Sequence, residues 1–436
     1  MVYRIELDVN VDVLSLFGSL RNKFGDAFLL ESTKGPERFM DMSIIGFGAG
    51  EYIKTNDSEI LMKKLKENEY ISRERYLGGL VGFVSYNASE IFDNAVHNKK
   101  DNFPPFYFGL FYDGIIYNHR SRKYTYFTHG DVRINDDNIK EILKYNSKSE
   151  KNDFSVEKMQ NDMTREEYMN AVKSAKEAIL NGEIFQVVLS RKLEGRYTGD
   201  IFEVYCALRN INPSPYMYFL DFPDYKVVGT SPEMLVRTEG RMVTTYPIAG
   251  TRPAGKTQAE SENYREELLS SEKEMAEHRM LVDLARNDIG RISIPGTVNV
   301  SEYMEIEKFS HVQHMVSRVD GTIRKNKSSI DVLSSVFPAG TVSGAPKIRA
   351  MEIIAELEKS PRGIYSGSVG YISFTGNMDM AIAIRSVFAQ NNIMEIRAGA
   401  GIVHDSDPYM EYMETEAKLG AMYGAINTAC KNGSEK

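Results

Sequence analysis

The most informative stretch of this sequence is Phe337-Pro338-Ala339-Gly340-Thr341-Val342-Ser343-Gly344-Ala345-Pro346-Lys347. Its glycines leave backbone N–H groups accessible, because no Cβ atom stands between them and a ligand. The lysine at its end does not belong to a Gly-Lys-Ser or Gly-Lys-Thr sequence, which argues against the phosphate-binding loop of nucleotide-binding proteins. The pattern therefore predicts either a loop that holds a carboxylate closely or an ordinary series of turns.

The composition of the whole chain narrows the class of protein. The chain has 436 residues, with 53 Lys and Arg against 61 Asp and Glu, and a formal net charge of −8. That balance argues against a nucleic-acid-binding protein, which needs a basic surface to meet phosphates. The two cysteines, Cys206 and Cys430, cannot build a disulfide framework or a Cys-based zinc site. Because the sequence contains neither a signal peptide nor an apolar segment of roughly 18 residues, we expect a cytoplasmic protein without membrane contact.

The sequence divides at a polar connection between residues 135 and 162, which is rich in Asn, Asp, Lys, Ser and Glu. Residues 1–145 contain short apolar runs bounded by Gly, Pro or charged residues, and such runs predict strands. Residues 160–430 mix strands with helices, beginning with a capping box at Thr164 and ending with a long helix from Pro408. The sequence therefore predicts an α+β fold in two regions.

Four carboxylates of the second region lie at helical spacing. Glu274 and Glu277 are three residues apart, as are Glu411 and Glu414, and Lys418 follows one turn later. Each pair falls within about 60° of one helix face. Two helices that each present carboxylates suit a hard cation such as Mg²⁺, which binds one or two protein carboxylates plus substrate oxygens. The alternative is a solvated helix face with i,i+4 ion pairs.

An arginine follows an apolar run in the same region. Arg385 comes after Met380-Ala381-Ile382-Ala383-Ile384 and is expected to point inward from a strand. A buried arginine needs an anionic partner, and a carboxylate is the best match for its two parallel N–H groups. The partner is either an internal salt bridge or an anionic ligand.

Several ordered blocks of the sequence resemble the signature of the chorismate-utilising enzymes. The resemblance covers about residues 164 to 425, and the order of the blocks makes it specific although each block alone is weak. Besides the stretch quoted first, the blocks are Pro247-Ile248-Ala249-Gly250-Thr251-Arg252, Glu277-His278 leading into Leu281-Val282-Asp283-Leu284-Ala285-Arg286-Asn287-Asp288, and Arg397-Ala398-Gly399-Ala400-Gly401-Ile402-Val403. The resemblance implies the chorismate-utilising enzyme fold, with large antiparallel β-sheets packed as a sandwich and flanked by helices.

Two positions separate the branches of this family, which form anthranilate, aminodeoxychorismate, isochorismate or salicylate. In the isochorismate and salicylate branches a lysine activates water, but the matching residue here is Gln186, whose amide is no base near neutral pH. In many aminodeoxychorismate synthases a lysine attacks the ring, but the matching residue here is Ala249, which has no nucleophile. The resemblance thus implies attack of ammonia on C2 of chorismate, which is the anthranilate-forming reaction.

The resemblance also implies a role for each matching residue. Glu233 would be the general acid for the leaving C4 hydroxyl, and His314 would lie near that hydroxyl. Mg²⁺ would be bound by Glu277 and Glu414, supported by Glu274 and Glu411. Around the reacting ring would lie Gln186, Ala249 and Thr341. The substrate would be bound by Thr341, Tyr365, Arg385, Gly399, Ala400, Gly401 and Lys418.

A further resemblance concerns feedback regulation and involves the N-terminal region, 1–145. The segments around Glu31 and Tyr216 resemble the two halves of the tryptophan pocket of the anthranilate-forming branch. The implied inhibitor site consists of Leu30, Glu31, Ser32, Pro215, Tyr216, Met217, Val369, Gly370, Tyr371 and Asp379. Small and aromatic walls suit an indole, and carboxylates suit an ammonium group. The alternative is a strand end and a proline turn.

The chain lacks a glutamine amidotransferase signature, because neither cysteine lies in a Gly-x-Cys-x-Gly setting. The resemblance implies that a separate glutamine amidotransferase subunit supplies the ammonia within a heterotetramer. Two alternatives stay open, an aminodeoxychorismate synthase component I and a non-catalytic sensor of chorismate or tryptophan. The intact carboxylates, together with Glu233 and His314, argue against the sensor.

Overall fold

The computed structural model describes residues 2–33, 41–93, 97–144, 154–308 and 312–434, with side chains as far as residue 431. Residues 1 and 145, the ends of the predicted N-terminal region, lie outside the described residues, as do residues 145–153 of the polar connection.

The strands of the described residues are mostly short, and β11, β17, β18 and β23 have ten residues or more. They are β1 Tyr3–Leu7, β2 Ala27–Glu31, β3 Met42–Phe47, β4 Glu51–Thr55, β5 Gly79–Val84, β6 Phe106–Phe111, β7 Asp113–Asn118, β8 Lys123–Thr128, β9 Ser155–Val156, β10 Gln160–Asn161, β11 Gln186–Thr198, β12 Tyr216–Asp221, β13 Lys226–Ser231, β14 Met234–Glu239, β15 Met242–Thr245, β16 Ile248–Pro253, β17 Asn299–Lys308, β18 Val312–Thr322, β19 Gly344–Ala345, β20 Ser368–Ser373, β21 Met378–Ile382, β22 Ser386–Gln390 and β23 Ile393–Ile402.

The helices begin where the sequence provides caps. The capping box predicted at Thr164 is present, because its hydroxyl accepts from the N–H of Glu167 and the Glu167 carboxylate accepts from the N–H of Thr164. The helices are α1 Val13–Phe24, α2 Ser58–Glu67, α3 Ala88–Phe92, α4 Asp136–Leu143, α5 Arg165–Leu180, α6 Phe202–Ile211, α7 Gln258–Ser270, α8 Glu272–Gly290, α9 Ser329–Val336, α10 Lys347–Leu357 and α11 Pro408–Ser434.

The described strands form two antiparallel sheets. The 13-stranded sheet has the order β1-β8-β7-β3-β2-β12-β13-β22-β23-β11-β10, and β9 and β19 also pair with β11. The 10-stranded sheet has the order β16-β18-β15-β14-β21-β20-β5-β6-β4, and β17 also pairs with β18. Both regions of the sequence contribute to both sheets, because β2 pairs with β12 and β5 pairs with β20.

The two sheets pack face to face over an aromatic core that includes Phe28, Tyr107, Phe111, Tyr218 and Tyr371. Helices α1, α6 and α11 cover the outer face of the larger sheet, and α2, α8 and α9 cover the outer face of the smaller one. Strands with two apolar faces need such covering layers, since successive side chains point to opposite sides. The predicted α+β sandwich of large antiparallel sheets flanked by helices is confirmed.

None of the helices in the described part of the chain is long and apolar enough to cross a membrane. The stretch from residue 337 to residue 347 forms a 3-10 turn over Gly340–Val342, the short strand β19 and the start of α10. It connects α9, on the smaller sheet, with β11, on the larger sheet, because β19 pairs with β11.

Candidate active site

One cleft of about 590 Å³ brings together most of the predicted catalytic, metal-binding and substrate-binding residues. Its walls come from β11, β16, β18, β23, α8, α11 and the turn before β19. The predicted residues that line it are Glu233, Ala249, Glu274, Glu277, His314, Thr341, Tyr365, Arg385, Gly399, Gly401, Glu411, Glu414 and Lys418. Residues from 233 to 418 therefore meet in a single site, although they lie on different elements.

Glu233 lies between β13 and β14 and points into this cleft. Its side chain is buried, and the hydroxyl of Thr341 donates to Oε1 over 2.8 Å. Burial raises the pKa of Glu233 to about 7, while the Thr341 hydrogen bond and the charge of Arg385 act in the opposite direction. A carboxyl group with such a pKa is part protonated near neutral pH, as a general acid must be.

His314 lies on β18 and is oriented by a bulge in the neighbouring strand β16. The register of β16 against β18 shifts between Ala249 and Thr251, and Gly250 between them has a φ of 64°. The carbonyl of Gly250 accepts a hydrogen bond from Nδ1 of His314 over 2.9 Å. Burial lowers the pKa of His314, so the imidazole is neutral at pH 7 with its proton on Nδ1.

Of the two residues that separate the family branches, Ala249 lines the cleft, whereas Gln186 contacts the cleft residue Glu277. Nε2 of Gln186 donates to Oε1 of Glu277 over 3.2 Å. Gly401 faces Gln186 across β11 and β23, and a Cβ atom at position 401 would lie 2.9 Å from Nε2 of Gln186. Neither Gln186 nor Ala249 offers a base or a nucleophile at the cleft.

The four predicted metal-binding carboxylates lie on the two helices α8 and α11 and line the same cleft. Glu414 forms an ion pair of 2.7 Å with Lys418, and Glu274 forms one of 3.3 Å with Arg252. Burial, followed by the charge of Glu274, raises the pKa of Glu277. The described residues contain no group of three or more His, Cys, Asp or Glu side chains that would hold a metal ion alone.

This arrangement nevertheless fits Mg²⁺. The donors are hard carboxylate oxygens, and Mg²⁺ completes its shell with water and substrate oxygens, so it does not need three protein ligands. The charges of Glu274 and Glu414 both contribute to the raised pKa of Glu277, which shows that the carboxylates repel one another. A bound cation would relieve this repulsion.

Arg385 supplies positive charge to the cleft. It lies between β21 and β22 with a φ of 51°, which is unusual for a residue other than glycine. Among the described residues, its guanidinium has no hydrogen-bonded or ion-paired partner, and Glu233 is the charged group that acts on it. The described structure therefore contains no internal salt bridge to Arg385. Of the two alternatives for its partner, an anionic ligand is the one that this arrangement favours.

Further predicted substrate-binding residues belong to β23 and its surroundings. A Cβ atom at Gly399 would lie 2.9 Å from the hydroxyl oxygen of Tyr365, so the absence of a side chain lets the tyrosine approach the strand. Lys418 donates to the carbonyl of Gly399 over 2.8 Å. Ala400 was expected among the substrate-binding residues, but its side chain is fully buried in the apolar cluster with α5 and α10. Because side chains alternate along a strand, Ala400 faces away from the cleft while Gly399 and Gly401 face it.

A second cavity lies between the two sheets. All ten residues expected at the inhibitor site line it, namely Leu30, Glu31, Ser32, Pro215, Tyr216, Met217, Val369, Gly370, Tyr371 and Asp379. The pairing of β2 with β12 supplies one wall of this cavity and the pairing of β20 with β21 supplies the other, and the packing of the two sheets brings the walls together.

The polar groups of this second cavity are held by buried ion pairs. Oδ1 of Asp379 accepts from the Tyr216 hydroxyl over 3.0 Å, and Oδ2 lies 2.6 Å from Nη2 of Arg237. Glu31 accepts from Nε of Arg209 over 2.9 Å. The hydroxyl of Ser32 is buried and has no hydrogen-bond partner among the described residues.

Sequence reasoning missed the arginines that neutralise these carboxylates. Arg209 and Arg237 lie in no block that resembles the family, and Arg252 was quoted in such a block without its ion pair to Glu274. Arg397 was likewise quoted in a family block, but without its position in the cleft wall and its ion pair with the buried Glu358. The only available signal was the presence of carboxylates expected to be buried, which require cationic partners somewhere in the chain.

Comparisons with known proteins show the family of this chain. A family model described as chorismate binding enzyme matches residues 25–424. The chain is 45% identical, over 95% of its length and 92% of the relative, to anthranilate synthase component 1 of Methanothermobacter thermautotrophicus. It is 42% identical to the protein of that name from Saccharolobus solfataricus, over 94% of this chain and 96% of the relative.

Solved structures give the same picture of the fold. The crystal structure of anthranilate synthase component I from Streptococcus pneumoniae is 36% identical and has a TM-score of 0.77, covering 88% of this chain and 92% of that one. The isochorismate synthase MenF from Escherichia coli has a TM-score of 0.77 at 20% identity, covering 98% of this chain and 94% of that one. The second likeness concerns the fold alone.

Proposed function

The chain belongs to the chorismate-binding enzyme family, and on this basis we propose that it is the large subunit of an anthranilate synthase. It converts chorismate and ammonia to anthranilate and pyruvate. The observation that carries this proposal is the pair Gln186 and Ala249 at an otherwise complete cleft. An amide and a methyl group can neither activate water nor attack the ring, so ammonia is the nucleophile that remains.

The substrate is a dicarboxylate, and Arg385 is suited to bind one of its carboxylates. Its guanidinium faces the cleft without an ion pair in the described structure, and it can offer two parallel N–H groups. Tyr365 and Gly399 lie together at the same wall, where the backbone approaches the ligand without a Cβ atom. These residues would hold the enolpyruvyl carboxylate and orient the ring for attack at C2.

Glu233 supplies the proton in the first step. As the lone pair of ammonia forms the bond to C2, the ring double bonds shift and the C4 hydroxyl leaves with the proton of Glu233 as water. The ammonium group formed at C2 gives up one proton, which returns Glu233 to its acid form. The carboxyl is protonated in part of the molecules near pH 7, since burial raises its pKa to about 7. The hydrogen bond from Thr341 fixes its orientation. Loss of the C2 proton and of enolpyruvate, which becomes pyruvate, then gives the aromatic ring.

His314 lies in the same cleft as a neutral imidazole. Because Nδ1–H donates to the Gly250 carbonyl, the ring nitrogen Nε2 carries no proton and acts as an acceptor. An acceptor at this place would orient the leaving hydroxyl for protonation by Glu233.

The donor set fits Mg²⁺ held by Glu277 and Glu414, with Glu274 and Glu411 in support. When bound, the ion would withdraw charge from the ring carboxylate of chorismate and favour addition at C2. For Glu414 to bind it, Lys418 must give up an ion pair of 2.7 Å, and its second contact, the carbonyl of Gly399, keeps it at the rim of the site.

The second cavity is proposed as the feedback site for tryptophan. Aromatic walls from Tyr216 and Tyr371 suit an indole ring. The carboxylates of Glu31 and Asp379, already paired with arginines, would bind the ammonium group. A glutamine amidotransferase subunit is proposed to supply ammonia in a heterotetramer, in the cytoplasm.

The direct test is fluorescence of the purified chain with chorismate, Mg²⁺ and excess ammonium at mildly alkaline pH, with and without tryptophan. We expect anthranilate without any partner subunit, and less of it when tryptophan is added. A non-fluorescent amino adduct, which a lyase converts to 4-aminobenzoate, would instead identify aminodeoxychorismate formation. No loss of chorismate would contradict enzymatic function and favour the sensor.

A further inference from the structure

A basic cavity of about 400 Å³ lies at the far end of β14 from Glu233. It is formed by the β14–β15 turn, the end of β18, the first turn of α9 and the β20–β21 turn. Four cationic side chains line it, those of Arg241, Arg324, Lys325 and Lys327. The described lining residues include no carboxylate, in a chain whose formal net charge is −8.

The two arginines of this cavity are fixed without being neutralised. Arg241 donates from Nη2 to the backbone carbonyl of Ile323 over 2.6 Å, and from Nε over 3.2 Å. Arg324 donates from Nε to the carbonyl of Ser293 over 3.0 Å, and from Nη2 to the carbonyl of Arg291. Backbone carbonyls orient a guanidinium but leave its net charge, and each guanidinium keeps further N–H donors.

The two lysines differ in their partners. Nζ of Lys327 lies 2.9 Å from the carboxylate of Asp331, which also caps α9. Lys325 is exposed and has no ion pair with any residue that the structure describes. Among the described ion pairs, the one that involves a lining cation is therefore that of Lys327 with Asp331.

The floor of the cavity contains a hydroxyl without a partner. Thr238 lines the cavity, is 2% exposed, and its Oγ1 has no hydrogen-bond partner among the described residues. Buried polar side chains in folded proteins are normally hydrogen-bonded, so such a group indicates a missing ligand or water. The N–H of Ser328 donates to the Asp331 carboxylate, and the first turn of α9 adds the N–H of Ser329 at the positive end of the helix.

We propose that this cavity binds a phosphate group, either as inorganic phosphate or on a small phosphorylated metabolite. A phosphate presents several acceptor oxygens in a compact tetrahedron, which suits fixed guanidinium, hydroxyl and helix N–H donors that converge from four elements. The site is separate from the catalytic cleft and from the tryptophan cavity. On β14, Arg237 faces the tryptophan cavity and Thr238 faces the opposite side of the sheet.

Isothermal titration of the full-length chain with inorganic phosphate and with phenyl phosphate tests this proposal. We expect saturable binding that weakens about tenfold in Arg241→Gln, since a charge-assisted hydrogen bond is lost. Lys325→Gln and Thr238→Val should weaken it severalfold, and Lys158→Gln, an exposed lysine elsewhere, should leave it unchanged. Tighter binding of phenyl phosphate would identify a phosphorylated metabolite as the ligand, and tighter binding of inorganic phosphate would identify the free ion.

Two results would overturn the proposal. The first is the absence of binding by either anion to the wild-type chain. The second is binding that the Arg241, Lys325 and Thr238 variants share undiminished, which would mean that the anion binds elsewhere. Lys325→Gln removes no contact that the structure describes, so its result does not depend on whether the other variants fold.

Discussion

At the scale of single residues, the chemistry depends most on the environment of Glu233. The same side chain on a solvent-exposed helix would be a carboxylate at pH 7, unable to donate a proton. Here burial, which raises its pKa to about 7, makes it a candidate acid. Resemblance assigned this role to Glu233, but its raised pKa depends on burial that only the fold creates, and that burial outweighs the opposing hydrogen bond from Thr341.

Glu233→Gln is expected to lower kcat by about a hundredfold or more, because the amide cannot protonate the leaving hydroxyl. In the wild-type chain, kcat at saturating NH₃ should fall as the pH rises through about 7, as the acid loses its proton. The rate of the variant should lack this fall. Stopped assays of anthranilate across a pH series measure both, and a variant that keeps the wild-type rate and pH profile would remove Glu233 from the proton transfer.

The stability of the same variant provides the control for folding. Because the pKa of Glu233 is raised from 4.5 to about 7, its contribution to stability is complete below 4.5 and is lost as the pH rises through 7. Replacement by the neutral amide should therefore stabilise the chain by up to about 3 kcal/mol at pH 8. Urea unfolding at pH 5 and pH 8 should show the difference at the higher pH only.

Glu277→Gln is expected to abolish Mg²⁺-dependent turnover while the fold stays intact. The substitution removes one of the carboxylates proposed to bind Mg²⁺, a group whose pKa is raised by burial and then by the charge of Glu274. The matched control is Glu272→Gln, an exposed carboxylate on the same helix α8. Turnover should be followed as a function of Mg²⁺ concentration, and an unchanged Mg²⁺ dependence in Glu277→Gln would place the metal elsewhere.

At the scale of elements, the bulge in β16 determines where His314 points. Its central residue, Gly250, has a φ of 64°, and a Cβ atom there would lie 2.9 Å from Cδ2 of Leu268. The sequence block around it was recognisable, but nothing in the sequence shows that the register changes by one residue at this point. The orientation of the Gly250 carbonyl towards His314 follows from that shift.

Gly250→Ala is expected to destabilise the chain by about 1–2 kcal/mol, because the left-handed conformation is unfavourable for alanine. It should also lower kcat, since a displaced carbonyl no longer orients His314. Gly296→Ala is the control, with a φ of 81° and no atom within 4 Å of the added Cβ. Thermal unfolding and kcat separate the effects: equal losses of stability with equal kcat in both variants would exclude a role for the bulge in catalysis.

Strand pairing also helps to form the second cavity, the proposed tryptophan site, where β2 lies beside β12. Ser32→Phe should fill this cavity and relieve tryptophan inhibition while basal activity is retained. The chain contains no tryptophan, so binding of the amino acid can be followed by its own fluorescence. Ser121→Phe, at an exposed turn, is the control. Undiminished inhibition and binding in Ser32→Phe would show that tryptophan binds elsewhere.

Elements were predictable from the sequence where local signals are strong. The capping box gave the start of α5, Pro408 gave the start of α11, and the run from Gly79 to Val84 coincides with β5. The partners of buried charges were not predictable, because Arg209 and Glu31 are 178 residues apart and no local pattern connects them. The resemblance indicated that β23 lines the cleft but did not show which of its residues face inward. Ala400 was therefore expected in the cleft together with Gly399 and Gly401, although side chains alternate along a strand.

At the scale of the whole molecule, the two regions of the sequence form one structure. Removal of residues 1–145 would expose an edge of β12 in one sheet and an edge of β20 in the other. We therefore expect a chain that begins at residue 154 to aggregate or stay unfolded, and co-expression with the missing part to restore it. Circular dichroism and solubility measure this, and a soluble, folded fragment with the wild-type transition would contradict it.

The same pairing explains why the two halves of the proposed tryptophan site could be named from the sequence, although the sequence did not show that they meet. Resemblance identified the residues around Glu31 and Tyr216, and the pairing of Met217 with Glu31 brings them together. The stacking of one sheet on the other then adds Tyr371 and Asp379 from the smaller sheet. Such long-range packing depends on residues from the whole chain, so it cannot be predicted from any single segment of the sequence.

Mass spectrometry tests most directly whether ammonia is the nucleophile. The products formed from chorismate and Mg²⁺ are compared with and without ¹⁵N-ammonium. Because Gln186 and Ala249 leave ammonia as the nucleophile, we predict ¹⁵N-labelled anthranilate with an equal amount of pyruvate, and no product when ammonium is omitted. Formation of isochorismate or salicylate without ammonium would contradict the account, because it would show that the cleft activates water.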